Sequence, residues 1–311
     1  MFHYHAFGLS IESALALPEL HGGAAGPADV RIAVTRGDAP AGEGWIAVDA
    51  DTVLLRLEDM AFTVSGGNRI DIVAPPGRAD NDIRIWLLGT VMATLLHQRG
   101  MFSLHANAVA LPGGGAAAFS GGSGEGKSTL AGLLDRAGFC VLGDDLCAIG
   151  FEGGRPLVHA GIPRLKLWRE TLGLFGRDPG GLERVASDLA KYHVPLAGAA
   201  EEGSLVPLRL DRVYLLGRRE REDEPLITRL AGATAAGAVL DNAFRWGIGQ
   251  AVAGEGSRAQ FDQALTIARG AAVFRLARRW GVQSLFEESA VIAAHLSASL
   301  PGVPASSLGG L

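Results

Sequence analysis

The stretch Ala116–Leu134 reads AAAFSGGSGEGKSTLAGLL. Within it Gly121-Gly122-Ser123-Gly124-Glu125-Gly126-Lys127-Ser128 satisfies the pattern Gly, any four residues, Gly, Lys, then Ser or Thr, and Thr129 carries the chain onward. Glycines let successive backbone N–H groups curl inward toward phosphate oxygens. A helix that starts at such a loop adds its unpaired N–H groups and its dipole. Lys127 is placed to reach the β- and γ-phosphates, and the Ser128 hydroxyl to ligate Mg²⁺, which keeps most of its waters. A flexible glycine linker is the plain alternative in a chain with 44 glycines. The context argues against it, because an apolar β-like run leads in and Leu130, Leu133, Leu134 and Ala137 form one helical face after it. Gly121–Thr129 are therefore read as a nucleotide-phosphate site.

Downstream, Phe139-Cys140-Val141-Leu142-Gly143-Asp144-Asp145 is a short apolar strand ending in two carboxylates. The C-terminal ends of strands in a phosphate-binding sheet lie beside the phosphates. One carboxylate is suited to a metal and the other to an attacking hydroxyl. Adjacent acids repel, so a nearby cation is required to keep both ionised. A solvated turn is the alternative; the short distance from Lys127 to Asp144 favours the site. His105, in the β-like run SLHANAVAL, is a candidate for the same site, although a histidine among apolar residues is commonly a core residue.

The first 80 residues carry short β-like runs (VRIAV, WIAVDADTVLLRL, MAFTV, NRIDIV) separated by Gly, Pro and Asp turns, which predicts a small antiparallel β-rich domain over 1–80. From Asn81 to Arg99, Ile85, Leu88, Met92, Leu95 and Leu96 fall on one helical face, a bridge into a second domain over 81–311. Strand-like RPLVHAG, LRLDRVYLLG, PLITRL and AAVFRL alternate there with helical segments near 167–174, 234–245, 258–269 and 284–296. The fold class is α/β, a phosphate-loop core with a mixed sheet flanked by helices. AGAAEEGS at 197–204 reads as a mobile loop. Arg218, Arg219 and Arg221, interleaved with Glu220 and Glu222, read as a solvated loop.

The net charge of −5 argues against a nucleic-acid partner. No apolar run reaches membrane-spanning length, and the opening MFHYHAFGLS lacks the pattern of a secretory signal. Cys140 and Cys147 sit in apolar runs as reduced thiols, which fits a cytoplasmic protein. No guanine-reading, transporter-ATPase or protein-kinase signature is present.

The run SLHANAVAL…AAAFSGGSGEGKSTLAGLLDRAGFCVLGDDLCAI resembles the catalytic core of HPr kinase/phosphorylase and its shorter relatives, firmly over 103–150. The resemblance implies ATP and Mg²⁺ as cofactors. It implies Lys127 on the β/γ-phosphates, Ser128 and Asp145 on the metal, Asp144 as the base toward a serine hydroxyl, and His105 near the reacting phosphate. GIPRLKLWRETLGLF and AKYHVPL resemble stretches of the shorter relatives, which turns Lys166 and Lys191 toward phosphate or substrate. Gly-Lys-Ser-Thr-Leu-Ala departs from the Gly-Lys-Ser-Glu-Thr-Ala of HPr kinases, so HPr is not the expected acceptor. The opening YHAFGLSIESALALPEL is similar to HPr-kinase-like serine kinases of lasso-peptide maturation, which implies a lasso-peptide precursor as substrate. The family also implies a homo-oligomer. Two other readings stay open: a kinase of a small hydroxylated metabolite, and a non-catalytic nucleotide-gated regulatory protein.

Overall fold

The computed structural model describes residues 1–49, 51–196, 206–254, 257–279 and 281–298; the segment read as a mobile loop, 197–204, lies outside them. Eight short strands open the chain: β1 (Phe2–Ala6), β2 (Leu9–Ser13), β3 (His21–Gly22), β4 (Val30–Arg36), β5 (Gly44–Ala47), β6 (Thr52–Leu57), β7 (Met60–Ser65) and β8 (Arg69–Ala74). They form one sheet in the order β3-β1-β2-β4-β8-β7-β6-β5. Alternation sets its buried face, as in β8, where Ile70, Ile72 and Ala74 are buried and Arg69 is exposed. The sheet is mixed, where the sequence reading expected an antiparallel one: β2–β4 and β4–β8 are parallel. Parallel neighbours need long connections, and the chain supplies them, residues 14–29 between β2 and β4 and the three-strand meander between β4 and β8.

Helices α1 (Asp80–Trp86) and α2 (Met92–Gln98) are joined without a break by a π-helical stretch, Leu87–Val91. Leu88, Met92, Leu95 and Leu96 of the expected face are buried, Ile83, Leu87 and Val91 join them, and Ile85 is only half-buried. A wider π turn keeps every fourth residue on one face where a 3.6-residue helix drifts off it. This face packs on Phe62, Val64, Ile70 and Ile72, so the helix read as a bridge is part of the core of the N-terminal sheet. Leu146, Ala148, Ile162 and Ile248 from later in the chain join the same cluster.

The rest of the chain is built on a nine-stranded sheet. Its elements are β9 (Phe102–Leu104), β10 (Ala106–Ala110), β11 (Ala116–Ser120), α3 (Lys127–Arg136), β12 (Val141–Gly143), β13 (Cys147–Glu152) and β14 (Arg155–His159). After the ribbon β15 (Arg164–Trp168), α4 (Arg169–Leu174) and β16 (Lys191–Pro195) come β17 (Leu208–Arg218) and β18 (Ile227–Leu230). Then follow α5 (Gly232–Asp241), α6 (Trp246–Ala253), α7 (Ala259–Gly270), β19 (Ala272–Arg278) and α8 (Val282–Ser297). The segment read as helical from residue 167 is thus strand as far as Trp168. The run SLHANAVAL is not one strand either: it breaks at His105, with β9 pairing β13 and β10 pairing β11 and β12.

Central β17 runs parallel to β11 on one side and to β19 on the other. Phe119, Tyr214 and Phe274 occupy matching positions and stack at 4.9 and 5.1 Å between centroids, which fixes the three strands in register. Their C-terminal ends therefore emerge at one edge. β12, antiparallel to β10 as β10 is to β11, ends there too. Helices α3 and α8 and the β15–β16 ribbon cover one face; α5 and α7 cover the other. Among the described residues no helix is long and apolar enough to cross a membrane.

A buried ion cluster joins the two sheets. Arg84 of α1 bonds Glu19 at 2.7 Å and also pairs with Glu183; Glu19 is 1 % exposed and lies 3.6 Å from His193 of β16. Arg84→Ala leaves the Glu19 charge buried beside a neutral imidazole. Its expected cost is about 3–5 kcal/mol of unfolding free energy, read by urea denaturation; a loss below about 1 kcal/mol would show that water reaches Glu19.

Candidate functional site

The glycine loop joins β11 to the first turn of α3, the setting its motif requires. Gly124 and Gly126 have φ of 84° and 80°, a region costly for side chains with a Cβ. A Cβ on Gly126 would come within 3.2 Å of the Arg278 guanidinium. Arg278 donates to Glu125 O at 2.8 Å and so holds the loop from the end of β19. Lys127 curls back, its ammonium 2.8 and 2.9 Å from Gly121 O and Gly122 O. Burial pulls the Lys127 pKa down, against the carboxylates of Asp145, Asp144 and Glu125. The Glu125 carboxylate accepts from Gly122 N–H at 2.7 Å.

Asp144 and Asp145 follow β12 and face in different directions. Asp145 has φ 65°, unusual for a residue with a side chain. Asp144 is fully buried: its Oδ1 accepts from the Ser128 hydroxyl at 3.0 Å and its Oδ2 from Lys166 N–H at 2.7 Å. Burial, with the neighbouring Asp145 charge, pushes its carboxyl up to about 6. Asp145 opens onto the cavity and pairs with the Lys166 ammonium at 2.9 Å. Burial would raise its pKa, but Lys166 and Lys191 outweigh that and hold it well below the ordinary carboxylate range. The two adjacent acids thus have different surroundings. Asp144 sits with the loop serine, and Asp145 faces the cavity.

His105 lies between the acids and the far side of the sheet. Its Nδ1 is 3.1 Å from Asp145 O, its N–H donates to Asn242 O at 3.2 Å, and its ring stacks on Phe244 at 5.2 Å. Burial first, then the Lys127 charge, depresses its pKa, so the ring stays neutral. Lys166 and Lys191 sit on the two strands of the ribbon and both line the cavity. The Lys191 ammonium lies over the half-exposed Trp168 ring at 5.7 Å.

These residues surround a cavity of about 430 Å³. Ser123 through Thr129 line one wall; Gly121, Gly122 and Asp144 lie behind it. Six cations (Lys127, Lys166, Lys191, Arg218, Arg278 and Arg279) line it against the two carboxylates of Glu125 and Asp145, so a protein of net charge −5 presents here a strongly positive hollow suited to a polyanion. Leu167, Trp168 and Leu285 give it an apolar side. Sequence reading placed Arg218 in a solvated loop; it ends β17 and lines the cavity. It also missed Arg278, Arg279 and Phe244. The available signal was positional, since Arg218 and Arg278 end the two strands parallel to β11.

Ser128 and Asp144 supply a hydroxyl and a carboxylate oxygen 3.0 Å apart, a donor set that fits Mg²⁺, which takes one or two protein oxygens and retains water. Among the described residues no group of three or more His, Cys, Asp or Glu forms a fuller metal cage.

No protein-family model matches the chain, and no curated protein sequence matches it. Among solved structures it is similar to the Hpr(Ser) kinase/phosphatase from Coxiella burnetii, with 13 % identity and a TM-score of 0.32 over 62 % of this chain and 96 % of that one.

The burial of His193 in the ribbon predicts an acid-sensitive fold. His193, cross-strand from Lys166, has its pKa pushed down to about 3 by burial and by the cations of Lys166, Arg164 and Arg84. The unfolded chain protonates this histidine below about 6.5 and the folded chain does not. Its contribution is therefore complete above about pH 6.5 and is lost progressively as pH falls toward 3. Between pH 7 and pH 4.5 wild type should lose about 2–3 kcal/mol more than His193→Gln. Equal losses in urea melts at the two pH values would refute a neutral buried His193.

Proposed function

We propose that the protein is a kinase that transfers the γ-phosphoryl group of ATP to a serine hydroxyl of a peptide. The observation that carries this reading is one continuous arrangement. A glycine loop runs into a helix N-terminus, its serine is hydrogen-bonded to a buried aspartate, and the next aspartate opens onto a cation-lined cavity.

In this reading the loop N–H groups and the α3 N-terminus receive the phosphates. Lys127 exchanges its bonds to Gly121 O and Gly122 O for phosphate oxygens, a change that also relieves its partly desolvated charge. Arg278 keeps the loop curled through Glu125 O. Ser128 and Asp144 would hold Mg²⁺, which would supply charge neutralisation for the phosphates. Asp145, kept ionised by Lys166 and Lys191, accepts a hydrogen bond from the serine hydroxyl and aims its oxygen at the γ-phosphorus. As the new O–P bond forms and the bond to the β-phosphate oxygen breaks, the hydroxyl proton passes to Asp145 and ADP departs. A low-pKa carboxylate suffices, because phosphoryl transfer is governed chiefly by positioning and electrostatics. His105 braces the Asp145 backbone and, with Phe244, walls the site.

The acceptor put forward is a lasso-peptide precursor with serine near its C-terminus. Support comes from the resemblance of the opening YHAFGLSIESALALPEL to that group of kinases, and from half-exposed Trp168 and partly buried Lys191 at the cavity, which suit a chain entering from solvent.

Mass spectrometry of a serine-ending peptide incubated with ATP and Mg²⁺ should show added phosphate. Asp145→Asn should lower kcat by about 10²-fold or more while leaving nucleotide affinity within a few-fold. Asp144→Asn should instead raise the Mg²⁺ concentration for half-maximal rate by about tenfold or more. The reverse pattern, turnover lost in Asp144→Asn at any Mg²⁺ and retained in Asp145→Asn, would exchange the two roles. Lys127→Ala should weaken ATP binding itself, measured by calorimetry, and unchanged affinity there would remove the loop from the nucleotide site.

A further inference from the structure

Far along the N-terminal sheet, β5 is an edge strand: among the described residues it pairs only with β6. Residues 41–49 are exposed throughout, and the edge carries large apolar side chains, Trp45 at 41 %, Ile46 at 46 % and Val48 at 60 % exposure. The Trp45 ring lies against Gly247, the residue after Trp246, itself 48 % exposed, so two tryptophans stand at one end of the edge. Val48 N–H donates inward to Thr52 O at 2.8 Å. By antiparallel alternation Gly44 and Ile46 also face β6, which leaves the N–H and C=O groups of Trp45 and Ala47 directed outward. An open, apolar, hydrogen-bonding edge of this kind is a hazard that proteins ordinarily blunt, unless it has an occupant.

Charge identifies the occupant. Exposed Glu43 precedes β5, and exposed Asp49 and Asp51 follow it. Of the nearby cations, Arg56 bonds Ala41 O at the start of the strand and Arg245 bonds the Thr90 hydroxyl, so the three exposed carboxylates outnumber them at the edge. Antiparallel pairing with a second copy of β5 would bring Glu43 of each chain toward the aspartates of the other, and like charges across a strand pair are destabilising.

We propose that the outer edge of β5 docks an extended peptide segment, added as a further strand to the sheet, with apolar side chains at alternate positions on the face of Trp45 and α6 and Lys or Arg at its ends. This rests on the peptide-kinase reading, of which it is the substrate-recruiting surface. It is tied to the chemistry by the short segment Asn242–Trp246, in which Asn242 accepts from His105 N–H and Phe244 stacks on the His105 ring.

The test uses the full chain with ADP and a fluorescein-labelled peptide, Lys-Lys-Val-Gln-Val-Gln-Val-Lys-Lys, which has no hydroxyl to phosphorylate. Saturable binding by anisotropy is expected. A version with Glu in place of each Lys should bind about tenfold more weakly or worse. Ala47→Pro removes an outward N–H while sparing the bonds to β6, and Trp45→Ala removes the apolar anchor. Each should weaken binding about tenfold or more with ADP affinity and circular dichroism unchanged. No binding by wild type, or equal binding by wild type and both variants, overturns the proposal. So does a wild-type dimer that Ala47→Pro renders monomeric in sedimentation, which assigns the edge to a second copy. Failure of the kinase reading shows separately, as absence of phosphate on any hydroxyl peptide while the valine peptide still binds.

Discussion

Two neighbouring carboxylates stand at the end of β12, one buried and one at the cavity, and the half of the fold that holds the glycine loop is arranged around that constraint. Taking one anion out of water costs several kcal/mol, and two side by side cost more unless each finds its own partner. Lys166 meets both demands. Its backbone N–H reaches Asp144 and its ammonium reaches Asp145. This requires a strand, β15, beside the end of β12, and the strand is held there by β16 and by packing of Leu165 and Leu167 in the same cluster as Leu130 and Leu134 of α3. The remaining oxygen of Asp144 is met by Ser128, which ties the loop helix to the acid strand although β10 lies between β11 and β12. Loop, acids and ribbon are thus mutually dependent: removing the ribbon would strand the acids, and moving the acids would release the loop serine.

The N-terminal sheet bears on the same ribbon from the other side. Glu19 and Arg84, both buried, reach Glu183 and His193, and His193 is the cross-strand partner of Lys166. The apolar contacts are equally direct, since Phe7 N–H donates to Ala160 O at 2.6 Å and Leu146 and Ile162 lie in the N-terminal cluster. Burial of this cluster keeps His193 neutral, so the positive charge beside Asp145 comes from Lys166 and Lys191. The N-terminal unit therefore contributes to the electrostatic setting of the site without lining its cavity.

Local chemistry was legible from the chain alone. The glycine loop, the helix after it and the strand ending in acids depend on residue types at fixed spacing; His105, Lys127, Ser128, Asp145, Lys166 and Lys191 line one cavity, and Asp144 bonds Ser128 beside it. Features set by long-range pairing were not legible. The two parallel pairs of the N-terminal sheet arise from strand order, which alternation does not encode. The π stretch at Leu87–Val91 adds Ile83, Leu87 and Val91 to the buried face of Leu88, Met92, Leu95 and Leu96 and leaves Ile85 half-buried, a widening invisible to a 3.6-residue template. Arg278 lies 151 residues beyond Lys127 and acts on the loop only because β19 pairs with β17. Adjacency was misleading for the two aspartates: the left-handed backbone at Asp145 sends their carboxylates in different directions, so which one sees the cavity depends on a torsion angle rather than on residue order.

That same dependence on backbone geometry gives the segment Asn242–Trp246 its significance. It leaves α5 with Asn242 bonded to His105 and within 3.1 Å of the Ser120 hydroxyl, at the very end of the strand that enters the glycine loop. Phe244 follows, its ring on His105, its N–H on Ser103 O and its carbonyl 3.0 Å from the His97 ring of α2. Arg245, in a left-handed conformation at φ 56°, turns the chain toward Trp246 while its guanidinium holds Thr90 of the π stretch. Five residues thus contact the loop strand, the cavity histidine, the helix of the N-terminal sheet and the tryptophan pair at its open edge. The outer edge of one sheet and the cavity edge of the other are consequently joined by a short segment with a bond or ring contact at almost every residue.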